Sequence, residues 1–191
     1  MRDDRGVTLP VIRLATPADL PALVEIYNAS IPSRRSTADL EPVTVEERVP
    51  WLIAHDPARR PLWVADLEGT VIGWLSFSDF YGRPAYAATA EVAVYVAPLA
   101  QGKRVGEYLL RSAIEAAPSV GVRTLLWISF AHNDASLRLA LLVGFREWGM
   151  LPGVTELDGV RRDVMILGLE VGAAAGTGGP AEQATLGDHD A

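Results

Sequence analysis

The stretch that most constrains this 191-residue chain runs Val92-Ala93-Val94-Tyr95-Val96, then Ala97-Pro98-Leu99-Ala100, then Gln101-Gly102-Lys103-Arg104-Val105-Gly106. Its alternation predicts a strand over Ala88 to Ala97, with Val92, Val94 and Val96 on one face and Glu91, Ala93 and Tyr95 on the other. From Gly102 to about Ala117 the period becomes helical, with Val105, Leu109, Leu110, Ala113 and Ile114 on one stripe. Strand, tight turn and helix therefore meet in one short span. The first amides of such a helix lack intrahelical acceptors and lie at the positive end of its dipole, so they can cradle phosphate oxygens. Lys103 and Arg104 put positive charge at that point, although the chain has 17 Lys and Arg against 24 Asp and Glu, a net charge of −7. A glycine-rich helix start with no ligand fits the same hexad. The Gly-Lys-Ser/Thr ending of a P-loop is missing, and so is the G-x-G-x-x-G fingerprint of dinucleotide sites.

The rest of the chain organises around that junction as one domain. Val11 to Leu14 reads as a short strand. Thr16 and Pro17 then open a helix with Leu20, Leu23, Ile26 and Tyr27 on its apolar stripe. Thr44-Val45-Glu46-Glu47 is a capping box that starts a second helix carrying Val49, Trp51, Leu52 and Ile53. Between these helices the long link Pro32 to Val43 has the length of either a solvated loop or a cover over a site. Leu62 to Leu67 and Thr70 to Phe80 read as a hairpin turning at Glu68-Gly69. Thr124 to Phe130 returns to strand, Asp134 to Val143 to helix, and Val160 to Leu169 to strand. The order implies a mixed α/β (α+β) protein with a largely antiparallel sheet flanked by helices. Residues 1–10 and the Gly/Ala-rich residues 172–191 carry no apolar periodicity and are expected to be mobile, leaving 11–171 as the domain.

Composition removes several chemistries. There is no cysteine, so disulfides, thiolate metal sites and Cys nucleophiles are excluded. The three histidines, His55, His132 and His189, are too scattered for a local metal motif, and no metal is expected. The acidic balance argues against a nucleic-acid partner. No apolar run of about 18 residues and no apolar signal region occurs, so a cytoplasmic protein with no membrane partner is expected.

The ordered series of segments resembles the phosphinothricin and methionine-sulfoximine branch of the GNAT superfamily of acyl-CoA-dependent N-acetyltransferases. It comprises Ile12-Arg13-Leu14-Ala15-Thr16, Glu25-Ile26-Tyr27-Asn28, Thr44 to Arg48, Ser76-Phe77, Phe80 to Tyr86, Ala90 to Val96, the Gln101 to Gly106 hexad, Asn133 to Ser136, Gly144-Phe145 and Arg162-Asp163-Val164. The likeness covers Val11 to about Val171 and implies the acyl-CoA N-acyltransferase fold, acetyl-CoA as cosubstrate and a small-molecule amine as acceptor.

By that resemblance, Val94, Tyr95 and Val96 pair through their backbone with the pantetheine arm. Gln101, Gly102, Lys103, Arg104, Val105, Gly106 and Glu107 surround the pyrophosphate, and Asn133 and Ser136 reach the cofactor. Glu91 corresponds to the family's proposed general base, and Glu91, Val92 and Ala93 border the acceptor. Tyr81, Gly82, Arg83 and Tyr86 follow a strand end, where Arg83 could fork onto a carboxylate or phosphinate. His132 is a further base or substrate contact by its near-neutral titration, or a structural histidine. The five tryptophans, Trp51, Trp63, Trp74, Trp127 and Trp148, are expected in the core.

Two positions depart from the family pattern. Arg104 stands where a glycine is usual, and Ala140 where many relatives carry the acid that protonates the departing thiolate. These departures motivate a rival reading, a catalytically weak acyl-CoA-binding regulatory module. Acceptors of another class, a protein amine or an aminoglycoside, also remain open, and a homodimer is implied by the family.

Overall fold

The computed structural model describes residues 9–172. The expected mobile ends therefore lie, apart from Leu9, Pro10 and Gly172, outside the described residues. Seven strands form one sheet in the order β1-β2-β3-β4-β5-β7-β6: β1 Val11–Leu14, β2 Leu62–Leu67, β3 Thr70–Asp79, β4 Thr89–Val96, β5 Thr124–Phe130, β6 Arg146–Leu157 and β7 Val160–Glu170. All neighbours are antiparallel except β4 and β5. The helices are α1 Leu20–Asn28, α2 Val45–Ile53, α3 Val105–Ala116 and α4 Asp134–Leu142.

The pleat divides the core in two. Leu75, Phe77, Val92, Leu109 and Leu110 pack with α3 and α4, whereas Val64 and Trp74 pack with Leu20, Leu23 and Ile26 of α1 and with α2. Each helix is held by the stripe its sequence displays, with one exception. Val49 and Ile53 of α2 are exposed, and the helix meets the sheet through Trp51 and Leu52 instead. Its capping box forms as expected, with Glu47 N–H donating to Thr44 Oγ1 at 3.2 Å and Thr44 N–H to Glu47 Oε2 at 2.8 Å. At the first helix, Pro17–Asp19 is a short 3-10 turn and α1 proper begins at Leu20.

The strand over Arg146–Leu157 escapes sequence periodicity because Gly149, Pro152 and Gly153 interrupt it. It survives as an edge strand that absorbs them at two register shifts, Glu147/Gly149 and Leu151/Thr155. Trp148 on this strand is 52% exposed and lies flat on the backbone of Gly168, so it is not a core tryptophan.

Asp19 ties three elements together. Its carboxylate accepts from Arg13 Nη1 and Nη2 at 2.8 and 2.7 Å and from Thr16 N–H and Oγ1 at 2.7 and 2.9 Å, while Arg13 also donates to Asp66 of β2. These donors hold its pKa down at about 2 against 3.8 in an open chain. A depressed folded value means that the stabilisation is complete above the unfolded pKa and is lost as pH falls through the folded one. Urea titrations should therefore show up to about 2 kcal/mol lost between pH 4 and pH 2, and a loss of about 2–3 kcal/mol at pH 7 for Asp19→Asn.

Candidate active site

The parallel pair β4–β5 holds together only at Thr89↔Thr124, Ala90↔Leu125 and Glu91↔Leu126, and beyond Glu91 the strands part. The register identifies which groups face the gap. Ala97 N–H donates to Ile72 O, so Tyr95, Ala93 and Glu91 exchange backbone hydrogen bonds with β3, while Val92, Val94 and Val96 turn theirs away from it. From the Val92 carbonyl onward these groups point into the split with no strand across from them. The Val96 carbonyl accepts a 3.3 Å bond from Gln101 Nε2. This refines the expectation from sequence: Val94 and Val96 present main-chain groups to the split, but the backbone of Tyr95 is directed at β3. Tyr95 instead sends its side chain to the α1/α2 face, where it stacks on Trp74 at 4.5 Å.

The split ends at the start of α3. Gln101 to Arg104 form a turn rather than the first helical residues, and α3 begins at Val105. Gly102 and Arg104 have φ of 73° and 63°, so Arg104 occupies a left-handed conformation in which glycine is relaxed and a longer residue costs about 1 kcal/mol. The Val105, Gly106 and Glu107 amides are left without intrahelical acceptors. Gly106 sits at a close approach: a Cβ there would lie 3.2 Å from Leu139 and 3.5 Å from Val96, so a larger residue would have to push the Leu139 side chain aside. Lys103 is exposed beside these amides. The Glu107 carboxylate does not face an anion. It is buried between Arg104 Nε and Arg111 Nε, both at 2.9 Å, which hold its pKa at about 2.

Across the split, Asn133 caps α4 through Ser136 N–H at 3.3 Å and donates from Nδ2 to the Arg35 carbonyl at 2.8 Å. Ser136 Oγ accepts from Trp127 Nε1 at 2.9 Å and from Ser129 Oγ at 3.1 Å. Both residues thus lie just beyond β5 and are engaged within the protein, and the Asn133 amide is free for a ligand only by releasing Arg35. His132 is likewise tied, with Nε2 against the Arg34 carbonyl at 2.9 Å and its ring stacked on Phe130. Its structural role is to hold the 32–43 link, which crosses the α1/α2 face above the split. Tyr95 Oη donates to the Ser36 carbonyl, and Arg34 pairs with Asp158 in the β6–β7 turn at 2.8 Å. The link is a cover and not a free loop.

Glu91 is half-buried at the point where the strands part, and burial pushes its pKa above the usual carboxylate value. Its side chain lies on the α1/α2 face, directly across from Ser78. Ala93 follows on the same face, and Val92 is buried on the other. Ser78 and Ala93 line a chamber of about 180 Å3 under α1 and α2, together with Tyr27, Arg48, Trp51, Trp74, Ser76 and Tyr95.

Tyr81, Gly82, Arg83 and Tyr86 are all exposed in the loop after β3, where Phe80, Tyr81 and Tyr86 pack edge to ring. That loop is pinned at both ends by Arg60, which sequence reading missed. Arg60 is 4% exposed, its Nε lies 2.6 Å from Asp79, and its Nη2 donates to the carbonyls of Ala87 and Thr89. Its only signal in the sequence is its place before Pro61.

A separate groove of about 1270 Å3 runs between α1, the β2–β3 turn and the start of α3. Lys103, Arg104, Val105 and Glu107 line it at the end of the split, and no residue of β5 or α4 does. Among the described residues no group of three or more His, Asp or Glu could hold a metal, and no helix is long and apolar enough to cross a membrane. Ala140, fully buried in the core, offers no acid.

The residues present suit an acyl-CoA: strand-like main-chain groups along the split meet an amide-bearing arm, and free amides with Lys103 meet a pyrophosphate. Known proteins agree. YwnH of Bacillus subtilis is 51% identical over 161 residues, spanning 84% of this chain and 98% of that protein. The phosphinothricin N-acetyltransferase of Streptomyces coelicolor is 35% identical over 72% of this chain and 82% of its own length. The structure of a phosphinothricin acetyltransferase from Sinorhizobium meliloti in complex with acetyl-CoA superposes with a TM-score of 0.82 at 26% identity, covering 91% of this chain and 95% of that one. Residues 20–145 match the acetyltransferase (GNAT) family, and the chain belongs to that family of N-acetyltransferases.

Proposed function

We propose that this enzyme acetylates the amine of a compact amino acid of the phosphinothricin or methionine-sulfoximine type, by direct transfer with Glu91 as general base. The observation that carries the reading is Glu91 itself, a half-buried carboxylate of raised pKa where β4 and β5 part, beside a chamber of only about 180 Å3. That volume is about six waters' worth, a size that suits the compact part of an amino acid. The relatives named for phosphinothricin support the same class.

When bound, acetyl-CoA supplies an electrophilic thioester carbonyl. The main-chain groups of Val92, Val94 and Val96 and the amides of Val105 to Glu107 hold it, with Lys103 at the phosphates. Glu91 takes the proton that an ammonium must lose before its nitrogen can attack. A thiol of pKa about 8.5 leaves without strong assistance, so the buried Ala140 is compatible with turnover. Tyr95 does not replace the missing acid, since burial raises its pKa and its hydroxyl is committed to Ser36.

The enzyme works in the cytoplasm as a homodimer, in our reading. Trp148, Met150, Leu151 and Val154 are exposed on the β6 edge, and such an apolar edge needs cover. The 32–43 link, whose carbonyls are used internally, is the weaker contact. Light scattering should give twice the 20.5 kDa of one chain, and Met150→Asp should lower it to one.

Thiol release should be measured with acetyl-CoA and a panel of phosphinothricin, methionine sulfoximine, polyamines and aminoglycosides. Turnover confined to the amino acids is the expected result, and turnover confined to polycations would overturn it. Because a base must be deprotonated and the Glu91 pKa is raised, kcat/KM should climb with pH through a value above 4.5. Glu91→Gln should lose about 100-fold in kcat and that limb of the profile while binding acetyl-CoA normally. Arg60→Lys, which loosens the 80–88 loop, should raise the acceptor KM about 10-fold and leave the acetyl-CoA Kd unchanged.

A further inference from the structure

The chamber beside Glu91 is lined by hydrogen-bond donors from α2 and β3, among them Arg48, Ser76 and Ser78. Ser76, Ser78, Ala93, Trp74 and Tyr95 form its floor, and the cross-strand pairs Ser78↔Glu91, Ser76↔Ala93 and Trp74↔Tyr95 put Glu91 beside them on the same α1/α2 face. Arg48 of α2 enters from above, its guanidinium 4.4 Å over the Tyr27 ring and 5.6 Å from the Trp51 ring. Of its five N–H donors, one reaches Asp39, at a long 3.3 Å, and the others meet no acceptor among the described residues. Asp39 is 43% exposed at the rim and also accepts from Tyr27 Oη at 2.6 Å, so it neutralises Arg48 only in part. Ser76 is 3% exposed, and it and Ser78 line the chamber from β3. A serine hydroxyl on the chamber wall can donate to a ligand oxygen.

The geometry points to Arg48, assisted by Ser76 and Ser78, as the specificity-determining residue that receives an oxyanion of the acceptor while its amine faces Glu91. The proposal rests on the acetyl-transfer reading above and adds to it the group that selects the substrate. A guanidinium forks onto a carboxylate or a phosphinate with two parallel bonds, and stacking on Tyr27 presets its plane before ligand arrives. Arg83, exposed in the loop after β3, is then a rim charge that affects encounter more than affinity. The oxyanion is either the α-carboxylate or a side-chain phosphinate, and comparing two acceptors separates them.

The test uses the full chain and two readouts. Binding is followed by tryptophan fluorescence, since Trp51 and Trp74 wall the chamber, and turnover by thiol release. Phosphinothricin and methionine are the acceptors, the second lacking the side-chain oxyanion. Arg48→Met keeps the apolar stem of the side chain and should raise KM and Kd for phosphinothricin by about 10- to 100-fold, with kcat, the pH profile and the acetyl-CoA Kd little changed. Arg48→Lys should recover part of that loss, and Ser76→Ala should raise KM by a smaller factor. A loss shared with methionine assigns the α-carboxylate; a loss confined to phosphinothricin assigns the phosphinate. Wild-type affinity in Arg48→Met, or an equal fall in acetyl-CoA affinity, overturns the proposal, as does a wild-type chain that binds neither amino acid. A chain that binds phosphinothricin through Arg48 yet never acetylates it overturns the proposed function and leaves the subsite standing.

Discussion

Main-chain groups that no strand satisfies are the constraint around which this molecule is built. β4 has β3 along its whole length but β5 only as far as Glu91, so the carbonyl of Val92 and both groups of Val94 open onto a gap. An exposed ladder edge in mid-sheet costs stability and invites pairing with any extended chain. The protein accepts that cost because an amide-bearing arm can complete the ladder from outside. The elements near the gap leave it open: α3 approaches closely at Gly106, and the 32–43 link bridges its upper face through Tyr95, His132 and Asn133.

The end of the split is polarised by placement rather than by net charge. A chain of −7 overall collects Lys103, Arg104 and Arg111 around the first turn of α3. Glu107 in their midst looks like a contradiction to anion binding, yet its carboxylate faces Arg104 and Arg111 and fixes them. The left-handed Arg104 fits this account: the backbone strain that glycine would avoid is offset by a guanidinium locked onto Glu107. In this chain an arginine paired with the carboxylate three residues on stands in place of the family glycine.

How much of this was legible depends on how local each feature is. The strand–turn–helix junction, the capping box at Thr44 and the α1 and α3 stripes are written in neighbouring residues, and the structure reproduces them. β6 was hidden because Gly149, Pro152 and Gly153 break its alternation, and only pairing with β7 restores it. The site divides in the same way. Glu91 and the hexad follow from pattern and family likeness, but Asn133, Ser136 and His132 turn out to spend their polar groups on the protein, which no spacing reveals. Arg60 and Arg48 were invisible for the opposite reason. Arg60 lies in a segment without a motif and Arg48 in one marked only by its capping box and family likeness, and each acquires its role from residues far along the chain, Asp79 and Ala87 for one, Tyr27 and Ser76 for the other.

The two faces of β4 then divide the labour of the reaction. Val92, Val94 and Val96 look toward α3 with their side chains and into the split with their backbone, which suits them to hold a long, sequence-independent arm. Glu91, Ala93 and Tyr95 look toward α1 and α2, where burial raises one carboxylate and aromatic rings shape a small space. Because the pleat alternates with a period of two, a single strand presents the carboxylate proposed as base on one face and the packing surface of α3 on the other, and no loop has to be folded between them. The chamber's selectivity can therefore change through α1, α2 and the loop after β3 while the split stays fixed. That separation lets one sheet serve many acceptors.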